Sequence, residues 1–448
     1  MIARSRPDRF DLAIAAVAVA AATFLLWLGF GLTFFWDEWE FITARSLGDP
    51  STWFVPHGEH WSTLPLLAYR ALVETVGLGS YVPYHAALVA LHVLVVAGVY
   101  VLIRRASGPW AALAGASIVA VFGSGFENLF LAFQIGFVGS TALCLGALVL
   151  LDAPATTRRA LAILAVLLAG LATSGLGLVT AVIVSGEVLL RPSWRRHAWI
   201  IAITGMTFAA WFVAVGRLGF GGRGDPFTVD AILNVPATIA DGFAGAAGGV
   251  FGVGPALGAI PALALLAVVT RRAAAGLVPA RVVAILAGLL SLFIIVGLAR
   301  TGRPEGDAPR LVYFAGAMLL VAISALGGTP RLSAHSTTRT VALAGTTLVV
   351  ILSLVWNAAL LVSGASLFAQ RADITRALVR LELNPTPVPG FDRSKPQIIT
   401  PSAELLERIV AKYGSPLTDR LAPVPPVSPA AQAKAEAYLF ESGPIPVP

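Results

Sequence analysis

The sequence has 448 residues, of which 57% are hydrophobic and 12% charged, and its mean hydropathy is +0.82. This composition excludes an ordinary soluble domain and predicts an all-α polytopic membrane protein, because each bilayer crossing needs about 20 mostly apolar residues. The net charge of +7 does not indicate nucleic-acid binding, since the basic residues form short clusters between apolar runs. The single cysteine, Cys144, cannot form an intramolecular disulfide and leaves the redox compartment open.

Apolar runs follow one another along the chain and predict about eleven membrane spans. They lie near residues 11–33, 83–103, 109–124, 128–150, 160–173, 175–190, 198–216, 252–270, 279–299, 311–328 and 340–364. The first run is too long for the apolar core of a signal peptide, so we expect it to be retained as a span. Arginine clusters such as Arg104-Arg105 and Arg158-Arg159 occupy every second connection. The positive-inside rule then places the amino terminus in the cytoplasm and, with an odd number of spans, the carboxyl terminus outside.

The connections on the predicted outer side carry most of the unusual polar residues. These outer loops cover residues 34–82, 217–251 and 300–310. The first loop contains the apolar stretch 64–77 with Arg70 and Glu74 spaced i, i+4, which predicts a helix lying in the membrane interface. The second loop is rich in Gly, Asp and Pro, so we expect it to be mobile.

The composition becomes polar and proline-rich near residue 369. We therefore expect a transmembrane domain over residues 1–368 and a small outer-side tail over residues 369–448. Two Ser/Thr-Pro pairs, each followed some residues later by a glycine, predict two short helices in this tail. The tail is too small to hold a catalytic core of its own.

The segment FFWDEWEF at residues 34–41 places Asp37, Glu38 and Glu40 just beyond the first span. A carboxylate held where membrane meets water can be partly desolvated and can act as a general base. Asp37 is the strongest candidate for that role. The alternative is an interfacial aromatic belt, in which the tryptophans of the same segment set the depth and the acids are solvated.

The segment PHGEHW at residues 56–61 adds His57, Glu59 and His60 to the same loop. The spacing H-x-x-H differs from the helical H-E-x-x-H of zinc enzymes, and the neighbouring Pro and Gly indicate a turn, so the pattern only weakly favours a metal site. We expect His57 and His60 to contact substrate or phosphate, or to orient the loop that carries Asp37.

Polar residues also occur within or beside predicted spans. Glu127 lies at the outer end of the fourth span, where it either favours the helix dipole or faces a cavity below the first loop, and Gln134 lies about two turns deeper. His85 and His92, seven residues apart on one helical face, are expected to be hydrogen-bonded residues of the bundle interior.

The late outer loop contains Arg300, Arg303 and Arg310, with Tyr313 about one turn into the next span. Arginines on this side run against the positive-inside trend, so they need an anionic partner. That partner is either a lipid phosphate, which guanidinium groups bind in bidentate geometry, or the acids of the neighbouring loops in ordinary surface ion pairs.

FFWDEWEF, placed after the first span in an outer loop with an interfacial helix, resembles the Asp-Glu motif of the GT-C superfamily of integral-membrane glycosyltransferases. This resemblance implies that Asp37 is the catalytic base with Glu38 as its neighbour, and that the sugar comes from a polyprenyl phosphate on the outer face. RLVY, from Arg310 to Tyr313, is similar to the Arg-Tyr motif that contacts the lipid phosphate in such proteins, although Leu311 stands where a tyrosine often follows. The membrane region also resembles a group of uncharacterised actinobacterial multi-span proteins.

Together these features predict a GT-C-like glycosyltransferase of the plasma membrane. Its partners would be a polyprenyl-phosphate sugar donor, membrane lipids and a glycan, lipid or protein acceptor of the cell envelope. The mechanism requires no metal or other cofactor, because arginines can stabilise the departing phosphate, although the acids and histidines of the first loop are compatible with a divalent ion. Two alternatives stay open, a lipid-linked sugar transporter or flippase and a non-catalytic scaffold that recruits partners through its tail.

Overall fold

A computed structural model gives the fold of the chain. The structure describes residues 7–43, 45–220, 228–299, 305–327 and 336–384, and most of the tail up to residue 440 (386, 388, 390–396, 399–419, 421 and 424–440). Arg300 and Arg303, two of the predicted site residues, lie outside the described residues.

Seventeen α-helices make up the described chain. In order they are α1 Arg9–Leu28, α2 Asp37–Thr43, α3 Thr63–Val76, α4 Val82–Ser107, α5 Pro109–Ala120, α6 Glu127–Phe130, α7 Ile135–Leu151, α8 Thr157–Leu171, α9 Leu176–Leu190, α10 Trp199–Ala214, α11 Val229–Phe251, α12 Gly254–Ala274, α13 Ala280–Ala299, α14 Pro309–Gly327, α15 Ser336–Glu382, α16 Ala403–Tyr413 and α17 Pro429–Phe440. The described residues contain no β-sheet, and their single isolated β-bridge joins His57 to His60.

Eight described helices are long and apolar enough to cross a bilayer. They are α1, α4, α7, α10, α12, α13, α14 and α15, and the shorter apolar helices α5 and α9 lie among them. The prediction of an all-α multi-pass membrane protein is confirmed, while the count of about eleven spans stays a prediction. The helices α4, α7 and α14 form the centre of the bundle. Among these eight helices they have the largest fraction of buried residues.

The expectation of a loop over residues 217–251 is wrong from Val229 onward, because that part forms the helix α11. The glycines that indicated a loop instead let α11 and α12 approach closely. A Cβ atom on Gly248 of α11 would lie only 2.1 Å from the carbonyl oxygen of Gly254 in α12. In membrane proteins small residues at helix contacts permit such packing, and composition alone does not separate them from loop glycines.

The prediction of a continuous helix from residue 128 is also wrong, because the chain is broken before α7. Leu131 has extended backbone angles, with φ −89° and ψ 109°, and a single 3₁₀ turn leads from it into α7. The break exposes backbone donors that a continuous helix would satisfy. One of them, the N–H of Ala132, donates to the hydroxyl of Tyr81 over 2.8 Å. Non-helical backbone near membrane depth is tolerated where protein groups satisfy it in this way.

The tail contains the two short helices that the sequence predicts, α16 and α17. The composition change near residue 369 lies inside α15, which continues to Glu382. The helix α17 packs on α15 through a small apolar cluster that includes Leu378 and Leu439. The helix α16 packs on α3, where Tyr413 accepts a hydrogen bond from Arg70 over 2.9 Å and donates one to Glu74 over 2.8 Å. The tail is therefore attached to both the first loop and the last long helix.

Candidate functional site

The helix α2 separates two neighbouring acids onto opposite sides. The residue before it, Trp36, has φ +47°, in the left-handed region that non-glycine residues rarely adopt. The side chain of Asp37 is 46% exposed, whereas Glu38 is completely buried. Only Asp37 of this pair is accessible to a substrate.

Glu38 is held in a pocket of hydrogen-bond donors. Its carboxylate accepts from the hydroxyls of Tyr69 and Tyr81, at 2.7 and 2.8 Å, and from the backbone N–H of Phe35 at 2.6 Å. The backbone of Phe133 also bonds to it. Burial raises the pKa of Glu38 to about 7, although these four hydrogen bonds act in the opposite direction. Glu38 therefore fastens α2 to α3, to the start of α4 and to the break before α7.

The first histidine of PHGEHW lies between the two other acids of α2. Its Nδ1 is 2.8 Å from Oε2 of Glu40, and its Nε2 is 3.9 Å from Oδ1 of Asp37. Burial alone would lower the pKa of His57, but the contact with Glu40 outweighs it, and together with the charge of Asp37 raises that pKa above its usual value. Burial alone would raise the pKa of Glu40, but the contacts with His57 and Arg45 hold it below its usual value. Asp37, Glu40, His57 and Arg45 thus form a compact charge-balanced group.

Arg45 holds the loop that carries His57. Its guanidinium donates to the backbone carbonyls of Thr52, Val55 and Pro56 at 2.8 to 3.0 Å, and to Glu40 at 3.0 Å. Its side chain is only 6% exposed, so these bonds are made in a largely desolvated place. The conformation of the loop over residues 46–56 therefore depends on one cation.

The ring of His60 packs near α7 and the residue before α9. The backbones of His57 and His60 exchange two hydrogen bonds of 3.0 Å across a tight turn, in which Gly58 has φ +53°. The turn places the ring of His60 against Phe137 and close to Gly175, where a Cβ atom would lie 2.7 Å from the imidazole. Among the residues that the structure describes, no three His, Cys, Asp or Glu side chains are grouped so that they could hold a metal ion.

Arg310 lies in a second charged group at the start of α14. Its guanidinium is 2.8 Å from a carboxylate oxygen of Glu305 and 3.5 Å from one of Glu127. The side chain of Asn128 donates to the Arg310 carbonyl over 2.9 Å. Two carboxylates therefore compensate the charge of Arg310, in the ion-paired arrangement that the sequence left as an alternative to phosphate binding.

The remaining predicted residues lie inside the bundle. Tyr313 is 1% exposed, and its hydroxyl lies 2.7 Å from Nδ1 of His92. Because Nε2 of His92 donates to the carbonyl of Ala120, Nδ1 accepts this hydrogen bond from Tyr313. Nε2 of His85 bonds the carbonyl of Leu129, so both histidines are satisfied interior residues, as predicted. Gln134 is also buried, and within the described residues its Oε1 has no hydrogen-bond partner.

The structure brings Asp37, Glu40 and His57 together and places Glu127 with Arg310. The segment 127–134 connects the two groups, and the ring of its Phe133 lies 5.0 Å from that of His57. Sequence reasoning missed two kinds of residue, the loop-organising Arg45 and the tyrosines around Glu38. The position of Arg45 among the acids of the outer loop is a sequence signal that could have identified it. The tyrosines lie 31 and 43 positions from Glu38, and only the fold brings them close to it.

No protein-family model and no curated protein matches this sequence. Solved structures match it in fold. ArnT from Cupriavidus metallidurans in the apo state has a TM-score of 0.56 at 12% identity, covering 88% of this chain and 84% of ArnT. ArnT bound to undecaprenyl phosphate gives a TM-score of 0.52 at 13% identity, with the same coverage. An oligosaccharyltransferase from Archaeoglobus fulgidus, tethered with an acceptor peptide, gives 0.48 at 13% identity, covering 83% of this chain and 57% of that protein. The chain therefore has the fold of ArnT, and the predicted GT-C-like architecture is confirmed at the level of the fold.

Proposed function

We propose that the protein is a membrane glycosyltransferase that moves a sugar from a polyprenyl-phosphate donor to a cell-envelope acceptor on the outer face of the plasma membrane. The observation that carries this proposal is the accessible carboxylate of Asp37 beside His57, on a helix that the buried Glu38 holds in place. The fold supports the proposal, since it is shared with ArnT, whose structure has been solved with undecaprenyl phosphate bound.

In the proposed reaction Asp37 removes the proton from an acceptor hydroxyl. The acceptor oxygen forms a bond to the anomeric carbon of the sugar, and the bond between that carbon and the phosphate oxygen breaks, so the polyprenyl phosphate leaves. His57, whose raised pKa favours its charged form, lies 3.9 Å from Asp37 and stabilises the ionised carboxylate that acts as the base. Glu40 and Arg45 hold His57 in this position.

Glu38 has a positioning role in this proposal. It is completely buried, and its four hydrogen-bond neighbours all donate to it, so it does not reach an acceptor hydroxyl. The sequence predicts further contacts to substrate or phosphate, from His60, Glu127, Gln134, Arg310 and Tyr313. In the proposed reaction these residues contribute only if the bound substrate extends to them. No cofactor is included, and loss of transfer on chelation of divalent cations would add a metal ion to the proposed mechanism.

The test is the variant Asp37→Asn, compared with Asp49→Asn in the same loop. Asp49 caps a short turn through Ser51 and lies outside the proposed site, so it controls for general effects on the loop. In a deletion strain, mass spectrometry of envelope glycans is expected to show the product with Asp49→Asn and none with Asp37→Asn at equal membrane levels. Removal of a general base typically costs roughly 10²-fold or more in rate. Wild-type product with Asp37→Asn would refute the proposal.

The same strains separate the two alternatives. A flippase would move lipid-linked sugar across vesicles that contain the purified protein and would form no glycosidic bond. A scaffold would lose all function when the tail is removed and none with Asp37→Asn. Because α15 continues to Glu382, the informative truncation begins at residue 383.

A further inference from the structure

A cleft of about 550 Å³ lies at the end of the bundle opposite the candidate functional site. The helix α4 connects the two ends. It begins beside Tyr81, which bonds Glu38, and its last turn contains Arg105, which donates to Asp152 on the wall of the cleft over 3.2 Å. The 26 residues of α4 span roughly 39 Å at a rise of about 1.5 Å each. The cleft is therefore separate from the proposed catalytic residues.

The cleft is formed by the connection between α7 and α8 and the connection between α9 and α10. Hydrogen bonds join these two connections. The carbonyl of Leu151, the last residue of α7, accepts from Arg191 over 2.9 Å and from the buried indole of Trp194 over 3.2 Å. Arg196 donates to the carbonyl of Ala155. Contacts within the protein thus define the shape of the cleft.

Some of the arginines near the cleft are paired with acids. Arg191 and Arg281 both contact the fully buried carboxylate of Glu187, and Arg281 lies 2.8 Å from Asp152. Asp152 also receives the hydrogen bond from Arg105. This network joins the ends of α7 and α9 to the start of α13. Its two carboxylates already face three arginines, so they leave no negative charge for other cations.

Three further arginines lie in or beside the cleft, namely Arg159, Arg195 and Arg196. Within the described chain no carboxylate pairs with any of them. Each donates instead to a backbone carbonyl, which has no net charge, and in order these carbonyls belong to Pro154, Leu189 and Ala155. A guanidinium has five N–H donors, and Arg196 uses two of them, one with Ala155 and one with His197. The cleft therefore has excess positive charge and donors available for an anion.

An exposed apolar surface adjoins these arginines. Leu189 and Leu190, the last residues of the apolar helix α9, are 51% and 44% exposed. Arg195 lies next to this surface, because its Nε donates to the carbonyl of Leu189 over 2.8 Å. The end of an apolar helix marks the boundary between hydrocarbon and water. A basic cleft at that depth matches a ligand that combines an anionic group with hydrocarbon chains.

We propose that this cleft binds the headgroup of an anionic phospholipid. Arg196 contacts the phosphate through its remaining donors, and Ser193, an exposed residue of the cleft wall, donates its hydroxyl. The acyl chains lie on Leu189 and Leu190. The volume of the cleft suits a phosphate with its glycerol group, since small-molecule sites typically enclose about 300–1,000 Å³. This end of the bundle is the one that the sequence predicts to face the cytoplasm, and the inference does not depend on sugar transfer.

The test measures binding to the purified full-length protein in an uncharged detergent by microscale thermophoresis. The probes are dihexanoyl phosphatidylglycerol, dihexanoyl phosphatidylcholine and glycerol phosphate. Arg196→Gln is expected to weaken phosphatidylglycerol roughly tenfold, because it removes charge-assisted hydrogen bonds. Arg158→Gln is the matched control, since it removes an exposed cation of α8 that does not line the cleft. It is expected to change the affinity by less than about threefold.

The three probes separate the sources of the anion. Phosphatidylglycerol binding more tightly than both other probes supports recognition of an anionic phospholipid. Equal affinity for phosphatidylcholine would overturn the selectivity for anionic lipid. Glycerol phosphate binding as tightly as phosphatidylglycerol would overturn the lipid assignment in favour of a soluble phosphate. Equal losses in Arg196→Gln and Arg158→Gln would replace the site with diffuse surface charge.

Two further variants guard against a loss of binding that is caused by misfolding. Arg196→Lys keeps the positive charge and is expected to recover part of the affinity that Arg196→Gln loses. Ser193→Trp fills the cleft at an exposed position without changing any charge, and is expected to abolish phosphatidylglycerol binding while the protein melts as the wild type does. Wild-type affinity in Ser193→Trp, or a correctly melting Arg196→Lys that binds no better than Arg196→Gln, would refute the site.

Discussion

The hydroxyl of Tyr81 donates to Oε1 of Glu38 and accepts from the backbone N–H of Ala132, both over 2.8 Å. One side chain at the start of α4 thus joins α2 to the broken segment before α7. The relationship explains why a fully buried acid follows Asp37. Glu38 supplies the acceptor that draws three parts of the chain together, and the orientation of Asp37 depends on them.

Tyr81→Phe is expected to destabilise the protein by roughly 1 to 3 kcal/mol, because it removes one donor to Glu38 and leaves the Ala132 N–H without its acceptor. Tyr84→Phe is the matched control. Tyr84 is equally buried, but its hydroxyl makes a single bond, to the carbonyl of Gly77, so its loss should cost less. Thermal melting in detergent measures both. Equal losses of stability in the two variants would mean that the second hydrogen bond of Tyr81 does not add to the stability of the protein.

The stability of the protein should fall as pH rises from about 5 to 8. The pKa of Glu38 is about 7 in the folded protein and near 4.5 when unfolded, so the native state binds this proton more tightly. Its contribution, on the order of 3 kcal/mol, is fully present below pH 4.5 and is lost as pH rises through 7. The raised pKa of His57 acts in the same direction.

Glu38→Gln should flatten this pH dependence, because glutamine does not titrate. It should also lower the melting temperature at pH 5, since the glutamine amide brings two donors where the protonated carboxyl has one, among neighbours that themselves donate hydrogen bonds. Melting curves at several pH values compare the variant with the wild type. A slope as steep as that of the wild type would show that Glu38 does not titrate in this range.

Gly258→Ala should destabilise the contact between α11 and α12 by roughly 1 to 3 kcal/mol, because its Cβ would lie 1.9 Å from the carbonyl oxygen of Ala244. Gly205→Ala in α10 is the control, since a Cβ there meets nothing within 4 Å. That change should be neutral or slightly stabilising. If both variants melt at the same temperature, the close approach of the two helices does not contribute to stability.

Gly77→Ala should release the tail from the first loop. Gly77 has φ +68°, and a Cβ there would lie 2.3 Å from the carbonyl oxygen of Tyr413 in α16. Gly108→Ala carries the same kind of backbone strain at φ +87° but meets nothing within 4 Å. Limited proteolysis should therefore cleave before α16 faster only in Gly77→Ala. Similar cleavage in both variants would assign the effect to strain alone.

The sequence alone predicts the features that depend on local composition. A run of apolar residues is suited to the bilayer whatever surrounds it, so the all-α membrane class and the helix at Thr63–Val76 could be derived from it. The segment over Val229–Phe251 was predicted wrongly, since glycine permits both a loop and a close helix contact and only the neighbouring helix decides between them.

Within the candidate site the sequence placed Asp37, Glu38 and Glu40 at one membrane edge but did not distinguish their roles. Only the tertiary structure decides that Asp37 is accessible and Glu38 buried, because the tyrosines around Glu38 come from other helices. It also decides which arginines are paired with acids. Charge is a property of each residue, whereas its compensation depends on the residues that the fold brings within hydrogen-bond distance, as Glu305 and Glu127 are brought to Arg310.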